Sequence, residues 1–453
     1  MSEHSRTETV PPGATPATAG AAAPAAGTAT AVGRAHAAEA ARRDREDPLA
    51  GTRERFVVDA VDDPDGTVYL DGNSLGALPR GVPARMADVI EREWGRDRIN
   101  SWSDNHWWTA PERIGDRVGA LVGAAPGQIV VGDSTSVNVL KAVVAGVRLA
   151  RGAEGGEQAG AGATDAGATA GGRDEILVDV STFPTDGYIA ESAARLTGCA
   201  LRAVPADAIA SEATPRTALA LVNHVDYRTG RLHDLPGTTA ALHAAGAVAV
   251  WDLCHSAGAL PVDLDAHGVD LAVGCTYKYL NGGPGAPAYL YVAARHQPRF
   301  DSPLPGWNSH ADPFAMAGAY APADGAVRGR VGTPDILSML ALESALDAWQ
   351  GVSIESVRAK SLALGDFFLT CVAAYVPAGA VETLTPVAHA ERGSQVALRC
   401  ADAGEVTERL LARGVVIDYR RPDVLRFGFT PLYTGYADVE RAAWALGEVL
   451  SAA

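Results

Sequence analysis

Lysine is scarce in this chain of 453 residues, because only three of its 38 basic side chains are lysines. These are Lys141, Lys278 and Lys360, and all the other basic side chains are arginines. A skew of this kind is typical of a GC-rich coding sequence, so it is no evidence of function by itself. It does restrict any reaction that needs a lysine amine to three candidate residues.

Paired cysteines, a secretory signal and a membrane-spanning run are also missing. The five cysteines are widely spaced, odd in number and form no C-x-x-C pair, which argues against a disulfide framework and a zinc site. The N-terminus lacks a basic segment followed by a Leu-rich one, and no long uncharged stretch is rich in Leu, Ile, Val or Phe. We therefore expect a cytoplasmic protein with free thiols, no bound metal and no membrane contact.

Acidic residues outnumber basic ones, with a formal net charge of −16 and an isoelectric point near 5.1. A nucleic-acid-binding protein needs a basic surface that neutralises phosphates, and an anionic membrane attracts the same kind of surface. The charge balance therefore argues against both classes of partner. The hydrophobic fraction of 47% is ordinary for a globular protein.

Two segments have a low-complexity composition. Residues 1–48 are rich in Ala, Pro and Gly and predict a disordered tail, with an Ala-rich helix over 35–43 as the alternative. Residues 152–172, which consist mostly of Gly and Ala, predict a flexible surface insertion. We expect a large domain over residues 49–332 and a smaller C-terminal domain over residues 333–453.

Short apolar runs alternate with helical segments in the middle of the chain. The runs are EILVDV (175–180), TALALVNHV (217–225), AVAVWDLCHSAG (247–258), VDLAVGCTYKYLNGGPG (269–285) and AYLYVA (288–293). Buried strands separated by helices predict an α/β fold, with a mixed, mostly parallel sheet between layers of helices. After residue 333 the pattern is mainly helical with a late strand-like run, LRFGFTPLY, which predicts a smaller α/β domain.

Asp252 and Lys278 are the strongest candidates for chemistry. Each closes an apolar run, and the carboxyl ends of parallel strands open at the same edge of a sheet, where ligands bind. A carboxylate at this edge can bind a protonated ring nitrogen, and a lysine can form a Schiff base. Read singly, Asp252 could cap a helix and Lys278 could reach solvent. Their pairing, with two tyrosines and a Gly-rich loop around Lys278, favours the chemical interpretation.

Other candidates are weaker when each is taken alone. Hydroxyls at 134–136 stand where a strand turns into a helix, which suits either an anion site or ordinary helix capping. Phe183 and Asp186 could contact a flat aromatic ligand or could belong to a Pro-containing turn. Arg426 lies in an apolar strand and needs an anion, such as a carboxylate, if it points inward. Trp307 could line an aromatic pocket or a core.

Several motifs, taken in order, resemble the kynureninase family of pyridoxal-phosphate enzymes of fold type I. They are YLDGNSLGALP (69–79), DSTSVNVLK (133–141), FPTDGY (183–188), DYRTG (226–230), WDLCHSAGALPVDL (251–264), YKYLNGGPGAPAYLYV (277–292), GWNSH (306–310), GRVGTPDI (329–336) and RFGFTPLY (426–433). DGNSLG combined with the later YKYLNGGPG is the most specific part. The D-x-x-H motif with a downstream lysine also occurs in relatives such as cysteine desulfurases.

The resemblance implies a role for each matching residue. Lys278 matches the lysine that binds pyridoxal 5'-phosphate covalently, and Asp252 matches the partner of its ring nitrogen. Tyr277, like Thr135 and Ser136, falls at or near the contacts of the cofactor phosphate, and it is also our candidate for relaying a proton. Arg426 matches the residue that holds the substrate α-carboxylate, and Ser74 lies in the motif that lines the substrate end. The further cofactor-site positions are Thr135, Ser136, Phe183, Asp186, His255, Trp307 and Thr333. The last two would reach the site from the partner subunit of a homodimer.

The reaction that the resemblance implies is hydrolysis of the Cβ–Cγ bond of L-kynurenine to anthranilate and L-alanine, in tryptophan breakdown. Whether 3-hydroxy-L-kynurenine is also a substrate stays open, although Thr333 and the lack of a histidine in RINSW (98–102) favour unsubstituted kynurenine. Two alternatives remain. One is another fold type I lyase, such as a cysteine desulfurase or selenocysteine lyase, and the other is a non-catalytic protein that binds the cofactor.

Overall fold

The computed structural model describes residues 31–58, 66–152 and 172–452. Its α-helices are α1 (Ala31–Glu46), α2 (Val82–Asp88), α3 (Ser101–Asp104), α4 (Ala110–Val122), α5 (Thr135–Gly152), α6 (Pro184–Thr197), α7 (Ile209–Glu212), α8 (Leu235–Ala244), α9 (Ile336–Ala345), α10 (Ile354–Tyr375), α11 (Ala403–Leu411) and α12 (Tyr436–Ser451). Residues 1–30 of the predicted tail and 153–171 of the predicted insertion lie outside the described residues.

The β-strands are short and fall into two main sheets. They are β1 (Phe56–Val57), β2 (Val68–Tyr69), β3 (Leu78–Pro79), β4 (Ile129–Val131), β5 (Glu175–Asp179), β6 (Ala200–Val204), β7 (Thr217–Asn223), β8 (Val248–Asp252), β9 (Leu271–Gly274), β10 (Tyr289–Val292), β11 (Val381–Thr383), β12 (Gln395–Cys400), β13 (Val415–Val416), β14 (Asp418–Arg420) and β15 (Val424–Gly428). A π-helical segment, Val89–Asp97, continues α2, and short 3₁₀ turns join several other elements.

A seven-stranded sheet forms the centre of the large domain. Its strand order is β4-β10-β9-β8-β7-β5-β6, and its strands are parallel except for β10, which runs antiparallel to both neighbours. Every apolar run named above between residues 175 and 293 supplies a strand of this sheet. The predicted mixed, mostly parallel sheet is confirmed.

Alternate residues of the strands pack into two cores on opposite faces of this sheet. On β8, Val248 and Val250 join one core together with α5 and α6, whereas Ala249 and Trp251 join the other together with α4, α8 and α9. Successive strand residues point to opposite faces, so a sheet covered on both sides needs nearly continuous apolar runs. Because both faces are covered, polar side chains gather at the ends of the strands.

The smaller domain is built on a four-stranded antiparallel sheet with strand order β11-β12-β15-β14. Helices α10, α11 and α12 share its core, and β13 pairs in parallel with β2 from the N-terminal segment. Val68 and Leu70 are buried in the same core. The N-terminal segment therefore contributes to the smaller domain.

Two helices that follow residue 333 contribute to the core of the large domain. Helix α9 comes after residue 333, yet its apolar side chains lie in a core of the large domain. Helix α10 passes from one domain to the other, since Val357 belongs to that core and Leu364 to the core of the smaller domain. Sequence does not reveal which core receives the apolar face of a helix, and the boundary at residue 333 stays a prediction.

Residues 31–46 form helix α1, which includes the Ala-rich stretch 35–43 that the sequence offered as the alternative to a disordered tail. The helix packs against α10 and α12, where Ala40 is buried. Asp44 accepts hydrogen bonds from the backbone N–H groups of Tyr436 (2.6 Å) and Ala437 (3.0 Å), and thereby caps α12. Alanine favours a helix wherever one face can be buried, and α10 and α12 provide that surface.

A buried ion pair follows α1 and fixes the N-terminal segment to the smaller domain. Lys360 Nζ lies 2.7 Å from Asp47 Oδ2, with side chains that are 6% and 3% exposed. The same ammonium donates to the backbone oxygen of Pro431 at 2.6 Å. Burial lowers the pKa of Lys360, and Asp47 opposes this shift.

Within the described ranges, no helix is both long and apolar enough to cross a membrane. In the same part of the chain, no group of three or more His, Cys, Asp or Glu side chains is arranged to hold a metal ion. All five cysteines are free thiols.

We expect Asp47→Ala to lower the free energy of unfolding by about 3–5 kcal/mol, because it leaves the Lys360 ammonium buried without its carboxylate. Urea unfolding followed by circular dichroism measures the change. The control is Arg45→Ala, at an exposed position of α1, which should shift this free energy by no more than about 0.5 kcal/mol. Equal unfolding midpoints for the two variants would contradict an anchoring role for Asp47.

Candidate active site

Asp252 and Lys278 come together at the carboxyl edge of the large sheet. Asp252 is the last residue of β8, and Lys278 lies in the turn that follows β9. His255 joins them, with its Nε2 2.9 Å from Lys278 Nζ. Burial lowers the pKa of His255 well below its ordinary value, and the charge of Lys278 lowers it further. The imidazole is therefore neutral and can accept a hydrogen bond from the lysine amine.

Asp186 and Asp252 form a pair of buried carboxylates at the same edge, 2% and 6% exposed. Burial raises the pKa of Asp186 well above its ordinary value, and the neighbouring Asp252 carboxylate raises it further. Neutral groups donate to both, since Asn223 Nδ2 lies 2.9 Å from Asp186 Oδ2 and the Cys254 backbone N–H lies 2.6 Å from Asp252 Oδ1. Two adjacent carboxylates with neutral donors suit a protonated ring nitrogen.

Asn223 is a site residue that the sequence analysis did not identify. It ends β7 directly beside Asp252 in the register of β7 and β8. Its Oδ1 accepts hydrogen bonds from Thr182 Oγ1 (2.5 Å) and the Phe183 backbone N–H (3.4 Å), while its Nδ2 binds Asp186. The amide thus holds the start of α6 against the sheet edge. Its place at a strand end is the signal that could have identified it.

Phe183 immediately precedes α6 and remains 41% exposed. Its ring packs edge-on against Tyr227, with 5.2 Å between the ring centroids. Its backbone is held in the turn that Asn223 binds. A phenyl ring supported in this way can offer a face to a flat ligand.

The start of α5 provides hydroxyl and backbone N–H groups close to the carboxylate pair. The helix begins at Thr135, after Asp133 has adopted a left-handed backbone conformation with φ of 56°. Thr135 Oγ1 lies 4.0 Å from Cys254 Sγ, so the helix start is next to the end of β8. Thr135 and Ser136 are half-buried. The first N–H groups of a helix attract anions, and this arrangement suits a phosphate.

The loop from Asp71 to Gly76 connects the lysine turn with the smaller domain. The backbone N–H of Gly76 donates to the carbonyl oxygen of Tyr277 at 2.8 Å. At the other end of the loop, Asp71 forms a β-bridge with Gly428 of β15. The DGNSLG motif therefore lies between the residue that precedes Lys278 and the strand that carries Arg426.

Arg426 is fully buried, and its guanidinium points into a polar cluster. It pairs with Asp418 through Nε (2.6 Å) and through Nη2, and its Nη1 donates to the backbone oxygen of Tyr227 at 2.6 Å. Ser74 Oγ accepts from Arg426 Nη2 at 3.1 Å and donates to Asp418 Oδ2 at 2.8 Å. The structure brings Arg426 and Ser74 into contact. The sequence analysis identified neither Asp418 nor Tyr227.

Trp307 and Thr333 lie apart from the lysine. Trp307 packs against Trp108, with 5.5 Å between ring centroids. Thr333 is exposed and lines a cavity of about 180 Å³ together with Asp133. In the described part of one chain, no hydrogen bond or ring contact joins either residue to Lys278. The described contacts of one chain therefore do not join these two residues to Lys278, whereas Thr333 shares its cavity with Asp133, which precedes the start of α5.

Tyr277 is half-buried beside Lys278, whose Nζ lies 5.9 Å from the centre of the phenol ring. Burial raises the pKa of Tyr277, and the neighbouring thiols of Cys275 and Cys254 raise it further. The phenol is therefore protonated at neutral pH and can donate a hydrogen bond.

The other two lysines are held in ion pairs elsewhere. Lys141 Nζ lies 2.8 Å from Asp133 Oδ2 and 2.7 Å from the carbonyl oxygen of Gly329. Lys360 is paired with Asp47, as described above. Lys278 is thus the lysine that is placed at the sheet edge among the candidate groups.

Pyridoxal phosphate, which the resemblance implies, fits these groups. Its phosphate matches the start of α5, and its protonated ring nitrogen matches the buried pair of Asp186 and Asp252, whose other donors are neutral. The Lys278 amine can supply a covalent attachment, and the exposed ring of Phe183 suits the flat pyridine. The phosphate, the ring nitrogen, the aldehyde and the ring face of the cofactor each have a complementary group at this edge.

Comparison with known proteins identifies relatives of one kind over most of the chain. A family model described as the kynureninase C-terminal domain matches residues 357–446. The kynureninase of Deinococcus radiodurans is 48% identical over 413 residues, which cover 90% of this chain and 94% of that protein. The kynureninase of Burkholderia pseudomallei is 44% identical over 416 residues, which cover 91% of this chain and 95% of that protein.

Solved structures share the fold at much lower identity. The cysteine desulfurase CsdA from Escherichia coli has a TM-score of 0.72 and 19% identity, covering 89% of this chain and 98% of that one. A mutant of C-DES with glycine covalently linked to its PLP cofactor has a TM-score of 0.70 and 16% identity, covering 86% and 98%. These structures confirm the predicted fold type I architecture. Because both kynureninases share almost half of their residues with it over nearly its whole length, the chain belongs to the kynureninase family.

Proposed function

We propose that this protein hydrolyses the Cβ–Cγ bond of L-kynurenine to anthranilate and L-alanine, with pyridoxal 5'-phosphate as cofactor. Its family supports this activity. The observation that carries the proposal is that a lysine, a carboxylate pair and a buried arginine meet at one sheet edge. Arg426 is close enough to His255, the hydrogen-bond partner of Lys278, to lower its pKa.

Lys278 and Asp252 hold opposite ends of the cofactor in this proposal. Lys278 Nζ would hold the cofactor covalently, and the Asp252 carboxylate would keep its ring nitrogen protonated. When bound, pyridoxal phosphate supplies an electron sink for the charge that develops at the substrate Cα. Thr135 and Ser136 bind the phosphate at the start of α5, and Phe183 covers one ring face.

Proton transfers belong to the side chains around Lys278. Once released, Lys278 Nζ takes the proton from the substrate Cα, and His255, 2.9 Å away, holds the amine in position. Water adds to the γ-carbonyl, and cleavage of the Cβ–Cγ bond releases anthranilate. Tyr277 relays a proton to the remaining three-carbon fragment, which leaves as L-alanine.

Arg426 and Ser74 form the substrate end. Arg426 binds the α-carboxylate, and Ser74, which is hydrogen-bonded to it at 3.1 Å, lines the pocket. Thr333 and the stretch RINSW at residues 98–102 support a preference for kynurenine over its 3-hydroxy form.

The active unit in this proposal is a homodimer in which Trp307 and Thr333 complete the site of the partner subunit. Phe314, 70% exposed, packs against Trp108 and Trp307, and Met316 nearby in sequence is 75% exposed. Exposed apolar clusters of this kind mark interaction surfaces. We place the dimer in the cytoplasm, where its free thiols stay reduced.

The thiols give little support to a cysteine desulfurase activity, which needs a mobile thiol near the substrate. Cys371 and Cys400 are buried in the core of the smaller domain, and burial raises the pKa of Cys371 to about 12. Cys254 and Cys275 lie at strand ends, where the Cys275 backbone N–H donates to Cys254 Sγ at 3.3 Å. We therefore favour hydrolysis of kynurenine over the lyase alternatives.

The holoenzyme should convert L-kynurenine to equal amounts of anthranilate and L-alanine, measured by anthranilate fluorescence and amino-acid analysis. We expect kcat/KM for 3-hydroxy-L-kynurenine to be lower by about tenfold, the size of effect that one additional hydroxyl produces in a fitted pocket. L-cysteine should give no sulfide. Sulfide without anthranilate would indicate a desulfurase, and full cofactor occupancy without any turnover would indicate a non-catalytic protein.

Lys278→Ala should lower kcat for L-kynurenine roughly 10³-fold or more, because it removes both the covalent attachment and the base. Borohydride reduction of the wild-type holoenzyme should attach the cofactor to one peptide, the one that contains Lys278, as read by mass spectrometry. The variant should lose this label. A label on the peptide of Lys141 or Lys360, or full turnover by the variant without added amine, would show that the assignment is wrong.

Asp252→Asn should lower kcat roughly 10³-fold, because an amide cannot keep the ring nitrogen protonated. The borohydride label on Lys278 should remain, which separates this effect from loss of the cofactor. The control is Asp207→Asn, at an exposed position of the large domain, which should keep wild-type activity. Equal rates for the two variants would remove Asp252 from the proposed role.

A further inference from the structure

Two carboxylates and two guanidiniums crowd together at the substrate end of the site, namely Asp71, Asp418, Arg420 and Arg426. Asp418 receives the two-point ion pair from Arg426 and also lies 3.0 Å from Arg420 Nη2. Burial and repulsion from Asp418 raise the pKa of Asp71 to about 6. The proposed function uses only Arg426 among these four groups.

Arg426 has few donors left for a substrate. A guanidinium carries five N–H groups. Two of these bind Asp418, one binds Ser74 Oγ and one binds the backbone oxygen of Tyr227. A guanidinium that holds a carboxylate at two points donates two parallel N–H groups to it. While Asp418 stays in place, Arg426 alone cannot bind a substrate carboxylate in this way.

Arg420 has an N–H donor available for a substrate carboxylate, which Arg426 lacks. Its Nε is buried and has no hydrogen-bond partner among the described residues. Asp418 lies opposite Arg426 in the register of β14 and β15, and Arg420 follows two positions along β14, on the same face of the strand. After burial and Lys278, the charges of Arg426 and Arg420 also lower the pKa of His255, the hydrogen-bond partner of Lys278.

We propose that Arg420 is a second substrate-binding residue, which shares the α-carboxylate of the substrate with Arg426 while Asp418 remains paired to both. This inference rests on the proposed function, since it assumes an amino-acid substrate at this end. The charges of the four groups cancel when all are ionised, so a carboxylate can enter without net repulsion. Without Arg420 the cluster would have a net negative charge and would repel the substrate carboxylate. An added carboxylate also separates two guanidiniums that otherwise repel each other.

A purely structural role for Arg420 would be to hold Asp418 in place. Its loss would then weaken every ligand at this end, whatever the charge of that ligand. L-kynurenine amide separates the two roles, because it differs from the substrate in lacking the carboxylate charge. If Arg420 binds the carboxylate directly, its loss should leave the binding of L-kynurenine amide unchanged. A purely structural role does not predict this result.

The test compares Arg420→Gln and Arg420→Lys with Arg421→Gln, the matched change at the exposed neighbouring residue. We expect Arg420→Gln to raise KM for L-kynurenine roughly tenfold or more, while kcat changes less than about twofold, because uniform binding of the carboxylate is lost. Arg420→Lys keeps the charge and should recover part of the affinity. The inhibition constant of L-kynurenine amide should stay within about twofold in all three variants.

Binding of L-alanine, followed through the absorbance of the cofactor, gives a second readout that needs no turnover. Arg420→Gln should weaken it roughly tenfold, and binding of L-alaninamide should not change. If Arg420→Gln behaves like Arg421→Gln, or weakens acid and amide equally, the inference is overturned. A wild-type holoenzyme that binds L-alanine in this way but leaves L-kynurenine intact would overturn the proposed function alone.

Discussion

Close packing of the loop 71–76 against the lysine turn and the smaller domain is the constraint on which the rest of the site depends. A methyl group at Gly76 would overlap the carbonyl oxygen of Lys278, and one at Gly72 would overlap Thr430 Oγ1. Only glycine lets the backbone approach both surfaces so closely. The loop therefore fixes the position of Lys278 relative to the strand that carries Arg426, and neither can shift without the other.

The site takes residues from both domains. For this reason the chain crosses from one domain to the other several times. The large sheet supplies the cofactor end, where Asp252 and Lys278 follow neighbouring strands. The smaller domain supplies Arg426, whose guanidinium binds the backbone oxygen of Tyr227 in the large domain. Helix α10 belongs to both cores, and Asp47 ties the N-terminal segment to it. The geometry of the site thus depends on how the two domains pack.

The cofactor half of the site was predictable from sequence, and the substrate half was less so. Asp252 and Lys278 close apolar runs, and a parallel sheet brings such ends together whatever the details of packing. Asp418 and Arg420 stand in a charged segment that resembles an ordinary solvated strand, and only tertiary pairing with Arg426 gives them a role. For a related reason sequence left helix α1 as an alternative to disorder over 35–43, since the helix packs against α10 and α12, which composition does not reveal.

The scarcity of lysine has a structural counterpart. Lys141 and Lys360 are buried, and each ammonium binds one carboxylate, of Asp133 or Asp47, and one backbone carbonyl. A compact ammonium fits such a pocket, whereas a planar guanidinium with five N–H groups would bury donors without partners. Lys278 has the other property that arginine lacks, an amine that can lose its proton and form a covalent bond. The ion pairs of Lys141 and Lys360 and the place of Lys278 at the sheet edge therefore give the three lysines different chemistry, which composition alone does not reveal.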